Sequence, residues 1–457
     1  MKRVGVIMTT LCLALGLCFS VSTSQAAKKV KLSSKKMSLR LAETKTLKVK
    51  NCQKKVKWSI SSGKKYITLK SKKKASVKVV GKKKGKAKVT AKVAGKKYTC
   101  KVTVSSKRAP NAKDLKALKA LIKKFKKKGA DISSNAETGY DYYWDKKGRL
   151  VEIDWSESKL TGTLDVTPFT ALESLDCGVN KLTKVKVGKN NKKLVELCCD
   201  ENKIKTLDVS ECKNLENLDC YSNQISSLNV SKLTKLKGLS VDNNLLQTLT
   251  LGSHPSLTKL SCSTNRLTSL NLSGCAVLSS LYCMENQLTG LDVSKNTKLE
   301  ALVCDSNKLT SLSLVNNPLL FGVSCNNNKL TKLDLEKNAA VEYLYCMNNQ
   351  IAELNISKCR SLVRASLNKN KITSLNLGLC TKLAVLECDD NQLSELNLAA
   401  NTSLVGLTCL RNPLTKLDLT RNYKLTELYC NKDLTVTGYP GMRADSHTEK
   451  WVDNLQY

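Results

Sequence analysis

The chain has 457 residues, of which 41% are hydrophobic, with 77 Lys and Arg against 38 Asp and Glu and a net charge of +39. That apolar share can bury a large core and excludes a wholly disordered chain. The two histidines exclude most catalytic designs: His254 precedes Pro255, His447 lies in the tail, and neither has a nucleophile nor paired carboxylates at a useful spacing.

Lys2 and Arg3 precede an apolar run over residues 4–21, and Ser24-Gln25-Ala26 offers a small-x-small cleavage site. Residues 1–26 therefore read as a secretory signal peptide. Cys18 follows Leu17 rather than the small residue a lipoprotein site needs, and no other run reaches spanning length. The expectation is a secreted, extracellular protein without a transmembrane anchor.

Residues 28–106 hold the charge, with roughly thirty Lys and Arg against one acid, Glu43. Beyond residue 150 the chain carries about 34 basic and about 32 acidic residues and is nearly neutral. Period-two alternation over residues 45–50, 55–60, 87–93 and 99–104, with turns at Gly63, Gly81, Gly85 and Gly95, predicts a small antiparallel β-sandwich. The order Leu47-Lys48-Val49, Val56-Lys57-Trp58-Ser59, Gly85-x-Ala87-x-Val89-Thr90-Ala91 and Tyr98-x-Cys100-x-Val102-x-Val104 resembles the bacterial immunoglobulin-like group 2 domain. That resemblance implies a spacer or adhesive module of surface proteins. Cys52 and Cys100 could pair across the sandwich or stay reduced. The near-absence of acids points to an anionic cell-wall polymer or cell surface, through the runs Lys72, Lys73, Lys74 and Lys82, Lys83, Lys84. No aromatic stacking pattern accompanies the lysines, which argues against nucleic acid.

Residues 107–149 read as a linker and capping helix. Pro110 ends the sandwich, Asn111 caps, Asp114 sits in the first turn, and Leu115, Leu118, Ile122 and Phe125 form one apolar stripe up to Gly129. Such a helix covers the open end of a repeat core or, alternatively, lies on a membrane.

From residue 150 to 433 one pattern recurs about fourteen times. Leu194, Leu215, Leu236, Leu257, Leu278 and Leu299 step by 21 residues, and the array runs on to Leu425 with Val341 in one copy. The first two steps, from Leu150 and Leu172, are one residue longer. The unit L-x-x-L-x-C-x-x-N-x-L resembles a leucine-rich repeat, and its second half nearly repeats its first, as in the nested bacterial class. The resemblance implies a parallel-sheet solenoid with a strand-like convex side, of the kind found in internalin-like surface proteins. The expected fold class is thus mainly β: a sandwich, a short capping helix, then a solenoid, with residues 434–457 as a C-terminal cap in which Trp451 and Tyr457 fold over the last rung.

Cys177, Cys199, Cys220, Cys262, Cys283, Cys304, Cys325, Cys346, Cys388, Cys409 and Cys430 share one register, which Val241 and Leu367 also fill. A position that accepts Cys, Val or Leu is apolar core rather than a metal or disulfide ladder. Asn307 and its equivalents turn the chain off each strand and are expected to satisfy backbone groups between rungs. Cys212, Cys275, Cys359 and Cys380 read as fillers of a second turn.

Binding is expected on the concave face, at Tyr221, Tyr282, Tyr343, Tyr345, Arg364, Glu387 and Tyr429, with Val303, Ser324 and Ser366 in the same columns and Met284, Met347, Asp200, Asp242, Asp305 and Asp389 at their border. The sequence thus predicts a monomeric, non-catalytic surface protein with no cofactor or metal that binds a protein or glycan on a cell surface. A structural wall spacer and a cationic membrane-binding protein are the alternatives.

Overall fold

In a computed structural model the described residues are 29–439, apart from 42, 53, 74 and 106–109. The signal segment, Lys74, His447, Trp451 and Tyr457 lie outside them. The described residues form two compact units, those of 29–105 with 138–143, and those of 110–137 with 144–439.

The first unit has strands β1 (Lys31–Leu32), β2 (Lys36–Arg40), β3 (Thr44–Lys50), β4 (Lys57–Ser62), β5 (Ile67–Lys70), β6 (Ser76–Gly81), β7 (Gly85–Val93) and β8 (Lys96–Ser105). They form two four-stranded sheets, β1-β3-β6-β5 and β2-β8-β7-β4. Alternation dictates the layers: Leu47, Val77 and Val79 face Val89, Ala91, Cys100 and Val102 across one core, while the intervening lysines face out. Gly63 has φ +73°, and a Cβ there would meet the Lys86 carbonyl oxygen at 2.4 Å, so this turn requires glycine. Cys52 and Cys100 are both free thiols, the first half-buried and the second in the core.

The second unit opens with α1 (Ala112–Lys126). Asn111 Oδ1 accepts from the Lys113 and Asp114 amides at 3.0 and 3.2 Å. Leu118, Ile122 and Phe125 are buried, and Phe125 meets Trp155 of the first rung edge-on at 5.8 Å. Asp114 is buried too, where Leu115 was expected. It receives the Arg149 guanidinium at 2.7 and 3.1 Å and the Leu150 amide at 3.1 Å. This ion pair holds Arg149 above its usual pKa. The helix's apolar stripe is thus buried, with Phe125 against the first rung.

The solenoid sheet has fifteen strands. The first, Tyr142–Trp144, precedes the repeats. The other fourteen run in parallel, one per rung, from Leu150–Asp154 to Glu427–Tyr429. Registers advance by 22 residues at Ile153, Leu175 and Leu197, then by 21 from Leu197 to Leu218 onward. On the convex side short parallel pairs form at Thr161–Asp165 with Lys181–Lys186, Ser227–Asn229 with Thr248–Thr250, Lys332–Asp334 with Glu353–Asn355, and Lys416–Asp418 with Thr435–Thr437. Among the described residues no helix lies on that side. Leucines and ladder cysteines fill the interior, most at 0% exposure.

Two asparagine ladders stitch the rungs. In the first, Asn307 Nδ2 donates to the carbonyls of Cys283 (3.0 Å), Cys304 (3.1 Å) and Asp305 (3.1 Å), while its Oδ1 accepts from the Leu288 amide at 3.0 Å. The residue before each such Asn is left-handed although it is not glycine, for example Glu201, Thr264, Ser306 and Lys369 at φ 46–56°. The asparagine bonds hold that conformation against its cost of about 1–3 kcal/mol. In the second ladder Asn296, Asn317, Asn338, Asn401 and Asn422 donate through Nδ2 to earlier rungs, but their buried Oδ1 atoms have no hydrogen-bond partner. A slot that uses only the donor accepts other donors. Cys359 Sγ reaches the Leu335 and Asn338 carbonyls at 3.8 Å, Cys380 Sγ reaches the Ile356 carbonyl at 3.5 Å, and buried His254 lies between the Leu233 and Leu251 carbonyls at 3.0 and 2.9 Å. The cysteines there are more than turn fillers, because they replace an amide donor. After Cys430, Asn431 rather than Asp433 continues the stitching, donating to the Asn412 carbonyl at 3.0 Å.

Candidate interaction surface

The concave columns come from the outward positions of each three-residue strand, and parallel pairing stacks them at about 4.8 Å per rung. Tyr343 pairs in register with Gly322 on one side and Arg364 on the other, and Tyr345 with Ser324 and Ser366. Glu387 follows Ser366 one strand later. Tyr343, Tyr345, Arg364 and Glu387 thus occupy three consecutive strands, all partly exposed. Tyr282 lies three rungs from Tyr345, about 14 Å, and Tyr429 two rungs from Glu387, about 10 Å. Tyr221 stands on the earlier rungs, and its hydroxyl donates to Glu201 Oε1 at 3.2 Å. Burial and the neighbouring Asp200 hold that phenol protonated. The seven predicted residues form one central patch and three outliers.

Arg364 and Glu387 are not independent ligands, since the guanidinium donates to Glu387 Oε1 and the Ser366 hydroxyl to Oε2. Tyr282 carries the Lys259 ammonium over its ring at 5.8 Å. Several positions expected to be open are closed: Val303 and Ser324 are 3% exposed, Ser366 1%, and Met284 9%. Ser324 and Ser366 are turned to carboxylates of neighbouring rungs, Asp305 and Glu387.

Three of the four bordering acids, Asp242, Asp305 and Asp389, are structural. Asp305 accepts from the Ser324 hydroxyl at 2.7 and 2.8 Å and from the Asn326 amide at 2.6 Å. Asp242 accepts from Ser261 and from the Ser263 amide, both at 2.7 Å, and Asp389 from Thr408 at 2.9 Å and the Leu410 amide at 2.7 Å. Asn326 and Asn368 make the same forward bond, to the Met347 and Asp389 amides at 2.7 Å. This column is a third inter-rung staple, invisible in sequence because its partners lie 19 and 21 residues ahead. Burial raises Asp305 to about 6 despite these donors.

Among the described residues one group has ligand atoms close enough to share an ion: Cys198, Asp200 and Asp219, within 4.8 Å of one another. Burial and then Asp200 push Asp219 to about 6, and burial and then Asp176 push Cys198 to about 12. The thiol keeps its proton at neutral pH. Buried ladder thiols behave likewise: burial lifts Cys283, Cys346 and Cys409 to about 12 and drives Cys177, Cys199, Cys262, Cys304, Cys325 and Cys388 well above the usual thiol range. His254, the one described histidine, is held by backbone and shifted down by burial. Of the predicted anionic-surface lysines, Lys72 and Lys73 lie on the β5–β6 loop and Lys82, Lys83 and Lys84 on the β6–β7 turn, all exposed.

No protein-family model matches the chain, and no curated protein matches it. Solved structures do. The functional domain of InlJ from Listeria monocytogenes, which includes a cysteine ladder, is 32% identical with a TM-score of 0.50, over 59% of this chain and 65% of that one. The chain therefore spans just under two thirds of that neighbour. A leucine-rich-repeat protein of Leptospira interrogans is 22% identical with a TM-score of 0.51, covering 63% of this chain and 90% of that one. The plant peptide hormone receptor RGFR1 in complex with RGF2 gives 20% and 0.54, over 63% of this chain and 54% of that one. These two share the fold. No helix among the described residues is long and apolar enough to cross a membrane. The larger unit is a leucine-rich-repeat solenoid, mainly β, with one short helix.

Proposed function

We propose that the chain is a secreted, non-catalytic recognition protein whose concave solenoid face binds a protein or glycan on a cell surface, and whose basic unit associates with an anionic cell wall or surface. The reading of residues 1–26 as a signal peptide and of the basic unit as a bacterial immunoglobulin-like module belongs to the same proposal. One observation carries it: Tyr343, Tyr345 and the Arg364–Glu387 pair stand partly exposed on three consecutive strands. Tyrosine and arginine supply much of the energy of protein recognition. The 32% identity to the functional domain of InlJ from Listeria monocytogenes, which includes a cysteine ladder, supports it.

An array of glycans and host surface proteins, probed with the full chain and with Tyr343→Ala/Tyr345→Ala, tests the reading. Substitution is expected to weaken the strongest hit at least tenfold, and unchanged binding removes the assignment. The spacer reading has its own support in the inter-rung use of Asp242, Asp305 and Asp389, and an array with no specific hit favours it.

A further inference from the structure

We propose that the outer face of the β2-β8-β7-β4 sheet is a docking surface for a linear polymer of phosphate esters, with strand register setting the spacing of its ammonium groups. This rests on the reading of the basic unit as an anionic-surface module and names the surface and the polymer within it.

The lysines of this sheet stand opposite one another. Lys36 pairs with Lys101 and Lys101 with Lys88, giving one row across three strands. Lys97 pairs with Lys92 and Lys92 with Lys57, giving a second. All six are exposed, as is Lys86 opposite Thr103. Their intervening neighbours Ala87, Val89, Ala91, Cys100, Val102 and Val104 fill the core, so alternation fixes the lysines outward. A row of hydroxyls, Thr99, Thr90 and Ser59, separates the two lysine rows. Thr90 Oγ1 donates to Ser61 at 2.9 Å and lies 3.3 Å from Thr99 Oγ1.

Like charges directly opposite on adjacent strands destabilise a sheet, and a fold normally breaks them with acids. Here the one acid of residues 29–105, Glu43, is buried and engaged with Lys45 at 2.8 Å. The repulsion along both rows is left for a ligand to relieve. Within a row the lysines are about 5 Å apart, and the rows lie about 13 Å apart along the strands. A single phosphate meets one or two ammonium groups, whereas a polymer with a phosphate on each unit engages a whole row and gains from every linked contact. The compact ammonium suits phosphate oxygens as a point charge, and Ser38, Ser59, Thr99 and Thr103 add hydroxyl donors. The lysine rows carry no aromatic side chain for base stacking and no apolar side chain for a bilayer.

The test is binding of the full chain to immobilised poly(glycerol phosphate) across a salt series. Lys88→Gln/Lys92→Gln/Lys97→Gln/Lys101→Gln removes four charges from the face, and Lys72→Gln/Lys73→Gln/Lys82→Gln/Lys83→Gln removes four from the loops. The face variant is expected to bind at least tenfold more weakly, with the log–log salt slope reduced by about one per lysine removed, while the loop variant stays within threefold. Arginine at the same four face positions, which keeps the charge and the fold, should retain binding. Equal loss in both glutamine variants leaves the anionic-surface reading standing and overturns this face. Loss in the arginine variant, or tighter binding to phosphatidylglycerol vesicles than to the polymer, also overturns it. No binding by the unaltered chain at any salt defeats both.

Discussion

The two units use their polar side chains in opposite ways. In the solenoid an asparagine, an aspartate or a thiol at a given slot reaches into a neighbouring rung, and the repeats are nearly neutral outside. In the first unit the core cluster is apolar, Glu43, Thr90 and Asp141 are buried beside it, and the lysines are mostly left outside, many facing one another. Interaction chemistry in a repeat is therefore confined to what the rungs do not use themselves, whereas in the sandwich the whole sheet face is available. Net charge describes neither unit well, because +39 adds a strongly cationic module and a basic helical segment to a nearly balanced ladder.

Several substitutions sharpen that contrast. The largest effect is expected in the first asparagine ladder. Asn307→Ala frees three carbonyls and one amide and should cost about 3 kcal/mol, against about 1 kcal/mol for Asn296→Ala, whose Oδ1 bonds nothing. Urea unfolding midpoints of the two variants measure the difference, and equal costs would break the distinction between the slots. Next comes the thiol column: Cys283→Ser should cost about 2 kcal/mol by burying an unsatisfied hydroxyl, while Cys283→Val, which copies Val241, should stay within about 1 kcal/mol.

A smaller effect follows from Asp305, whose pKa of about 6 lies above the ordinary carboxylate value. Between those values the folded chain holds the proton more tightly than the unfolded chain, so this group adds stability as the pH falls from 7 to 5. The gain is about 1 kcal/mol, and Asp305→Asn should lose that slope relative to the unaltered chain in urea titrations at the two pH values. The smallest effect is in the first unit. Lys101→Gln relieves two like-charge pairs, with Lys36 and with Lys88, and should stabilise it by about 0.5 kcal/mol at low salt, with no gain at high salt. A destabilising result there would mean the lysines are paired.

Much of this architecture was legible because period and residue identity coincide. The 21-residue step, the Asn at the first slot and the Asn111 cap each need particular chemistry, so the sequence repeats it. The left-handed residue before each ladder asparagine was not legible, since Glu201, Thr264 and Lys369 share no property and the neighbouring amide network holds their conformation. The aspartate staples were hidden by distance along the chain, and they changed the meaning of Asp242, Asp305 and Asp389 from candidate ligands to mortar. The strand columns were correctly aligned, but Val303, Ser324 and Ser366 are buried, the two serines on Asp305 and Glu387, and Arg364 turned to Glu387. In the first unit the eye goes to runs such as Lys82-Lys83-Lys84, while the denser array arises from single alternating lysines that pairing brings together.

In the solenoid the chemistry of the cysteine ladder is internal. Alkylation of the native full chain, read peptide by peptide with mass spectrometry, tests it. Cys52 and more slowly Cys198, the two partly exposed described thiols, should be modified, and the buried thiols from Cys177 to Cys409 only as the chain unfolds. Modification of interior ladder thiols at the same rate as Cys52 would contradict it.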